Sequence, residues 1–343
     1  MKSRPAYPLL ALMLAMLVVS PLPQFARART RCYDPGWQYR KPKTITDRRA
    51  PDADLTTARN NSDLSYRQSR SLPKIAWDSV FGFAAPGGSS VVAILDTGVD
   101  SSHPDLRDLV LPGYSAFEGS DARTDPNGHG TEMAGIVASL ADNRIGMAGV
   151  ARARLSLLPV QVLSADGTGK ESDIIAGIVW ATDHGANVIL MAFSNPDYSP
   201  ALQQAIDYAW NHGVILVAAA GNDGSSITTY PAGDRGVIGV SATDSNDALV
   251  PFSNHGKAVF MAAPGMNVLT TGLNGGYTAV TGTSASAAIV AGTAAVMHAV
   301  DPGLSNGAIV GRLARAADPV GTTGQMGFGR INIARALSDT GTE

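Results

Sequence analysis

Residues 91–98 read Val91-Val92-Ala93-Ile94-Leu95-Asp96-Thr97-Gly98: five consecutive apolar residues, then a carboxylate and a turn pair. A half-buried strand alternates apolar with polar residues, whereas a run apolar at every position is buried on both faces. Similar runs recur at Leu155–Leu163, Val188–Phe193, Val214–Ala219 and Val237–Ala242. Between several of them lie helical patterns, at Glu132–Leu140, Glu171–His184 and Pro200–His212; Gly213 follows the last directly, as a helix end favours. Unalternating strands separated by helices predict an α/β fold, with a mostly parallel central sheet and helices on both faces. There is no internal repeat. Ala279–Val300 could be mistaken for a membrane span. It carries Thr281, Thr283, Ser284, Ser286 and Thr293, however, and reads as a buried helix of a large core.

Composition narrows the class. Of 343 residues, 45% are hydrophobic and 16% charged, enough apolar surface to offset the entropy of ordering, so intrinsic disorder is excluded. Gly 37 and Pro 20 follow no collagen period. Cys32 is the only cysteine, which excludes an internal disulfide, thiolate-bound zinc and an iron–sulfur cluster. A net charge of −3 gives no sign of nucleic-acid binding. The charge is uneven. Residues 1–28 hold three basic groups and no acid, residues 29–72 hold ten basic and five acidic, and the rest hold 13 basic and 24 acidic.

The N-terminus reads as a secretory signal peptide over residues 1–28. Lys2 and Arg4 precede the apolar run Leu9–Val19, Pro21 and Pro23 end it, and Ala26-Arg27-Ala28 has the small-x-small cleavage pattern. Eleven apolar residues make a helix of about 16 Å, too short for a bilayer core of about 30 Å. Export to a periplasm or to the exterior is expected, with no stable membrane anchor. Residues 29–65 are polar and basic, without helical or strand period, and read as a leader or linker. Residues 66–343 form the expected single catalytic domain.

Three segments carry chemistry. One ends in Asp96-Thr97-Gly98, a second reads Asn127-Gly128-His129-Gly130-Thr131, and a third reads Gly282-Thr283-Ser284-Ala285-Ser286. A fourth is Ala219-Ala220-Gly221-Asn222-Asp223-Gly224. In this order and spacing they resemble the aspartate, histidine, serine and oxyanion-asparagine segments of the subtilisin-like serine proteases, the subtilases. The resemblance runs from about Leu72 to Leu337. It implies a subtilisin-like fold and a serine endopeptidase that acts on polypeptides as a monomer and needs no cofactor for its chemistry. The residues support the same reading. A serine hydroxyl is a poor nucleophile until a base takes its proton, and histidine is the side chain whose ordinary pKa suits that base. A carboxylate on the other ring nitrogen fixes the tautomer. Ser284, His129 and Asp96 supply these roles, and Asn222 with the Ser284 N–H would hold the oxyanion. The five remaining histidines form no HExxH or other ligand spacing and read as structural.

The resemblance also implies a substrate cleft formed by Ala192-Phe193-Ser194, Gly221 and Thr229. Ser194 and Thr229 stand where relatives have glycine or another small residue, so a shallow pocket is expected. Glu132 replaces the usual histidine or serine, and Ala288 the usual proline. A structural calcium ion is implied at Asp105 and Asn143, with Gln68 as a further ligand; simple loop capping by the same side chains is the alternative. Two other functions remain open. The altered residues allow a non-catalytic binding protein of subtilase fold. A secreted esterase or lipase would need the chain order serine, acid, histidine and a G-x-S-x-G elbow, whereas here the serine comes last and the second glycine is missing.

Overall fold

The computed structural model describes residues 37–38, 71–82, 88–140, 145–151 and 155–341, all within one compact unit, Asp34–Glu343. The signal peptide, most of the leader, Cys32, Gln68 and Asn143 lie outside the described residues. Seven strands form one sheet: β1 (Ser90–Asp96), β2 (Tyr114–Ser115), β3 (Leu155–Gln161), β4 (Val188–Met191), β5 (Ile215–Ala219), β6 (Val237–Thr243) and β7 (Met261–Pro264). Their order is β2-β3-β1-β4-β5-β6-β7, and every neighbouring pair is parallel. From β1 the chain first lays β2 at the edge, fills the gap with β3, then crosses to place β4 on the other side of β1. That makes β1/β4 the switch point, where the carboxyl ends of the strands leave a crevice.

Alternate residues of each strand serve opposite faces. Val92, Ile94, Leu157, Leu190 and Val217 pack with helices α1 (His129–Ala138) and α4 (Thr283–Val300). Ala93, Leu95, Val160, Ile189 and Leu216 pack with α2 (Glu171–Asp183) and α3 (Pro200–Asn211). Both faces are covered, which is why the strand sequences do not alternate. At the start of α3, Ser199 Oγ accepts the Leu202 N–H at 3.2 Å, and Gly213 follows the helix with φ of 83°. Two short helices, α5 (Asn306–Ala316) and α6 (Ile333–Ser338), complete the α4 side.

Two expectations need correcting. The stretch Ala279–Val300 is not one helix. Its first residues belong to β9 (Tyr277–Val280), paired antiparallel with β8 (Val268–Thr271), and the helix starts at Thr283. The leader residues Trp37–Gln38, read as lacking strand, pair antiparallel with Thr168–Gly169. Two residues are too few to show a period.

Candidate active site

Asp96 is the last residue of β1, at the carboxyl edge of the sheet beside the switch point. The Thr97 N–H donates to Asp96 Oδ1 at 2.8 Å and fixes the carboxylate. His129 is the first residue of α1. The close approach of the two elements depends on Gly130, since a β-carbon there would lie 2.0 Å from the Gly98 carbonyl oxygen. With that contact allowed, His129 Nδ1 donates to Asp96 at 2.8 and 2.9 Å, both residues being buried. A ring that donates from Nδ1 keeps Nε2 as its basic nitrogen. Burial alone would lower the His129 pKa. The Asp96 charge and hydrogen bond, then Glu132 and Asp125, outweigh it, and the net direction is upward.

Ser284 is the second residue of α4, where helix N–H groups favour negative charge. Its Oγ donates to the Ala192 carbonyl at 2.9 Å. A hydroxyl proton serves one acceptor at a time, so attack requires this side chain to turn onto His129; such bonds tighten once substrate is bound. Asn222 Oδ1 accepts from the Thr283 N–H at 2.9 Å and from Thr283 Oγ1 at 3.0 Å. The backbone donor demands an oxygen, which assigns the two ends of the carboxamide. A β-carbon on Gly282 would stand 3.6 Å from its nitrogen and 3.7 Å from its oxygen, so the amide lies beside this glycine. Four residues from two strand ends and two helix starts are thus assembled at one edge of the sheet.

The residues expected to line the cleft divide by their surroundings. Ala192 and Phe193 are buried, and their side chains belong to the cores on opposite faces of the sheet, so only their backbone can face a substrate. Ser194 turns its hydroxyl toward Gly221, where a β-carbon would lie 3.0 Å from it. Thr229 Oγ1 donates to the Ala220 carbonyl at 2.5 Å. Asp105 is buried, and its Oδ2 accepts from Tyr277 at 2.8 Å and from the Met147 N–H at 3.2 Å. Burial, then the Asp105 charge and hydrogen bond, push the Tyr277 pKa upward, so this phenol remains a donor. The other histidines with ring contacts are structural: His103 Nε2 meets the Gly276 carbonyl at 2.9 Å, and His184 stacks on Trp180.

Two polar residues escaped the sequence reading. Asn254 is buried, accepts the Asp223 and Ser225 N–H groups at 3.0 Å each, and donates to the Ala220 carbonyl at 3.0 Å, so it shapes the loop that carries Asn222. Asp125 is also buried and accepts the Gly128 and Thr131 N–H groups at 2.8 Å each. Its signal was present: Asp125-Pro126-Asn127-Gly128 is turn chemistry that leads into a helix.

Comparison with known proteins places these residues in context. The sequence pattern of the subtilase family matches residues 87–329. Subtilisin DY of Bacillus licheniformis is 41% identical over 269 residues, 77% of this chain and 97% of that protein. Thermitase of Thermoactinomyces vulgaris is 38% identical over 263 residues, 76% of this chain and 91% of its own length. A thermophilic serine proteinase of Bacillus sp. strain AK1 is 38% identical over 274 residues, 80% of this chain and 67% of its own.

Proposed function

The chain belongs to the subtilase family and is a serine endopeptidase, and from that premise we propose that it cleaves polypeptides through Asp96, His129, Ser284 and Asn222. Ser284 Oγ gives its proton to His129 Nε2 and attacks the scissile carbonyl carbon. Asp96, on Nδ1, keeps the ring oriented and stabilises the imidazolium. The oxyanion is received by the Asn222 carboxamide and the Ser284 N–H. His129 then returns the proton to the leaving amine, and water repeats the cycle on the acyl-enzyme. No cofactor takes part in this chemistry. The carrying observation is the buried His129 Nδ1 at 2.8 Å from an Asp96 carboxylate that is itself fixed by Thr97. The test is fluorophosphonate labelling of the folded protein together with peptide hydrolysis. Wild type should label and Ser284→Ala should neither label nor turn over. Asn222→Ala should lose about 10²–10³ in kcat, the magnitude established for a subtilisin. An unlabelled but folded wild type would instead favour the non-catalytic binding protein.

The proposal extends to Ser194 and Thr229 as the floor and wall of a shallow pocket for the residue before the cleaved bond. It includes export as a monomer without a membrane anchor, supported by the basic and apolar pattern of residues 1–28. N-terminal sequencing of exported protein checks this, and a start at Met1 would refute it.

A structural calcium ion is proposed at Asp105 and Asn143. Asp105 supplies a buried anionic oxygen, the donor type a hard cation takes. The ion would brace the loop after α1. The Tyr277 and Met147 donors on Oδ2 are what a loop-capping carboxylate would show. Thermal unfolding with and without EDTA decides between the two. A bound ion stabilises by mass action, about 2.7 kcal/mol at 100-fold over Kd, and an unmoved midpoint leaves Asp105 as a cap.

A further inference from the structure

We propose that Asp125 is a positioning residue of the proteolytic reaction, clamping the end of β1 to the first turn of α1 and so setting the distance at which Asp96 meets His129. The inference rests on the triad assigned above. Asp125 lies on the loop between β2 and α1 and is 8% exposed. Its Oδ1 accepts from Thr97 Oγ1 at 2.8 Å, the Gly128 N–H at 2.8 Å and the Asn127 N–H at 3.0 Å. Its Oδ2 accepts from the Thr131 N–H at 2.8 Å and Thr131 Oγ1 at 2.7 Å. Only an ionised carboxylate, which has no proton of its own to place, can accept all five.

The partners are the neighbours of the catalytic pair. Thr97 follows Asp96 and donates to its carboxylate; its own Oγ1 also accepts the Gly130 N–H at 3.1 Å. Thr131 stands two residues after His129, and its Oγ1 accepts the Asp100 N–H at 2.9 Å. The bonds close a ring through Asp96, Thr97, Asp125, the first turn of α1 and His129. The N-cap position of that helix is Gly128, which has no side chain to offer, so Asp125 supplies the cap from outside. A cap needs one acceptor oxygen. Asp125 uses Oδ2 for Thr131, while its Oδ1 joins the Gly128 N–H at the helix start to the Thr97 hydroxyl at the end of β1, a bond the cap itself does not need and one that ties together the elements carrying His129 and Asp96. Its charge also acts on His129 in the same upward direction as Asp96 and Glu132.

The experiment compares Asp125→Asn, Thr97→Val and Glu132→Gln, with kcat counted per fluorophosphonate-titrated site so that misfolded molecules drop out. A displacement of about 1 Å costs about 10²-fold in rate. Asp125→Asn should lose kcat on that order with KM little changed, and the acid limb of kcat/KM should move to lower pH. Thr97→Val cuts the β1 arm, with the Gly130 N–H bond to the same hydroxyl, and leaves the contacts of Asp125 with Gly128 and Thr131 in place. It should lower kcat at least several-fold and leave the limb in place. Glu132→Gln removes a charge outside the ring, so its limb should move while the plateau rate holds. A kcat per titrated site within threefold of wild type in both Asp125→Asn and Thr97→Val overturns the proposal. If Asp125→Asn does not fold, Thr97→Val alone decides. Failure of wild type to titrate would refute the triad, a result distinct from failure of the clamp.

Discussion

The hydroxyls at 194 and 229 occupy space that a glycine would leave empty. Ser194 reaches across toward Gly221, and Thr229 is fastened to the Ala220 carbonyl. A filled pocket disfavours large aromatic residues before the cleaved bond, and each mismatch of a few methylenes changes discrimination by about 10–200-fold. Comparison of kcat/KM for peptides with Ala, Leu or Phe at that position should rank Phe last. A clear preference for Phe would defeat this reading. Residues of this kind differ in how readable they are. Asp96, His129 and Ser284 stand out because few side chains can do their chemistry and each sits in a short glycine-rich segment. Asp125 does not, because a carboxylate's role as a clamp depends on which N–H and O–H groups surround it. Those groups come from segments 28 residues away as well as from its own loop.

Among the elements, α4 carries the prediction that follows from Ala288. Its side chain is fully buried in the second turn, and its N–H is the helical donor to the Ser284 carbonyl. Proline there would remove that donor and crowd the same carbonyl. Ala288→Pro should therefore shift Ser284 relative to His129 and Asn222, changing the acylation rate. With the shift, the ratio of aminolysis to hydrolysis on the acyl-enzyme, measured with an added amine, should fall. Agreement of both quantities with wild type would make Ala288 ordinary helix filling. The long parallel strands were legible because burial on both faces leaves an uninterrupted apolar run. β7 was not, since Met261-Ala262-Ala263-Pro264 lacks the β-branched residues that mark strands, and neither was the threonine-rich β8 and β9 hairpin. The helix of Glu132–Leu140 begins earlier than its pattern, at His129, because its first turn is held by Asp125 and not by apolar periodicity.

At the scale of the whole molecule, two carboxylates give stability opposite dependences on pH. Asp247 receives Lys74 and Arg330 and thereby joins an N-terminal segment to a C-terminal one. Burial works against its charge, but these partners prevail and lower its pKa, so its contribution is present above the unfolded value and lost as pH falls through the folded one. Asp234 is 4% exposed, and neither of its oxygens has a hydrogen-bond partner among the described residues. Burial, then Asp207 and Glu171, push its pKa up to about 7. A raised folded-state pKa means stability is intact below the unfolded value near 4 and lost as pH rises through about 7. Asp234→Asn should thus stabilise the fold at pH 8 by up to about 4 kcal/mol and change little at pH 4. Urea unfolding in a Ser284→Ala background, where autolysis cannot interfere, measures this, and an equal effect at both pH values would refute it. The strand order carries a further consequence for how the molecule comes into being. β1 lies between β3 and β4, so the earliest strand of the sheet to leave the ribosome cannot be enclosed until much later sequence is made. Such non-local pairing makes for slow folding. Asp96 and His129 are synthesised long before Ser284, which arrives with the last quarter of the chain. A nascent polypeptide that has not yet reached residue 284 therefore lacks the nucleophile of the proposed triad, so order of synthesis alone keeps the proposed chemistry from starting early.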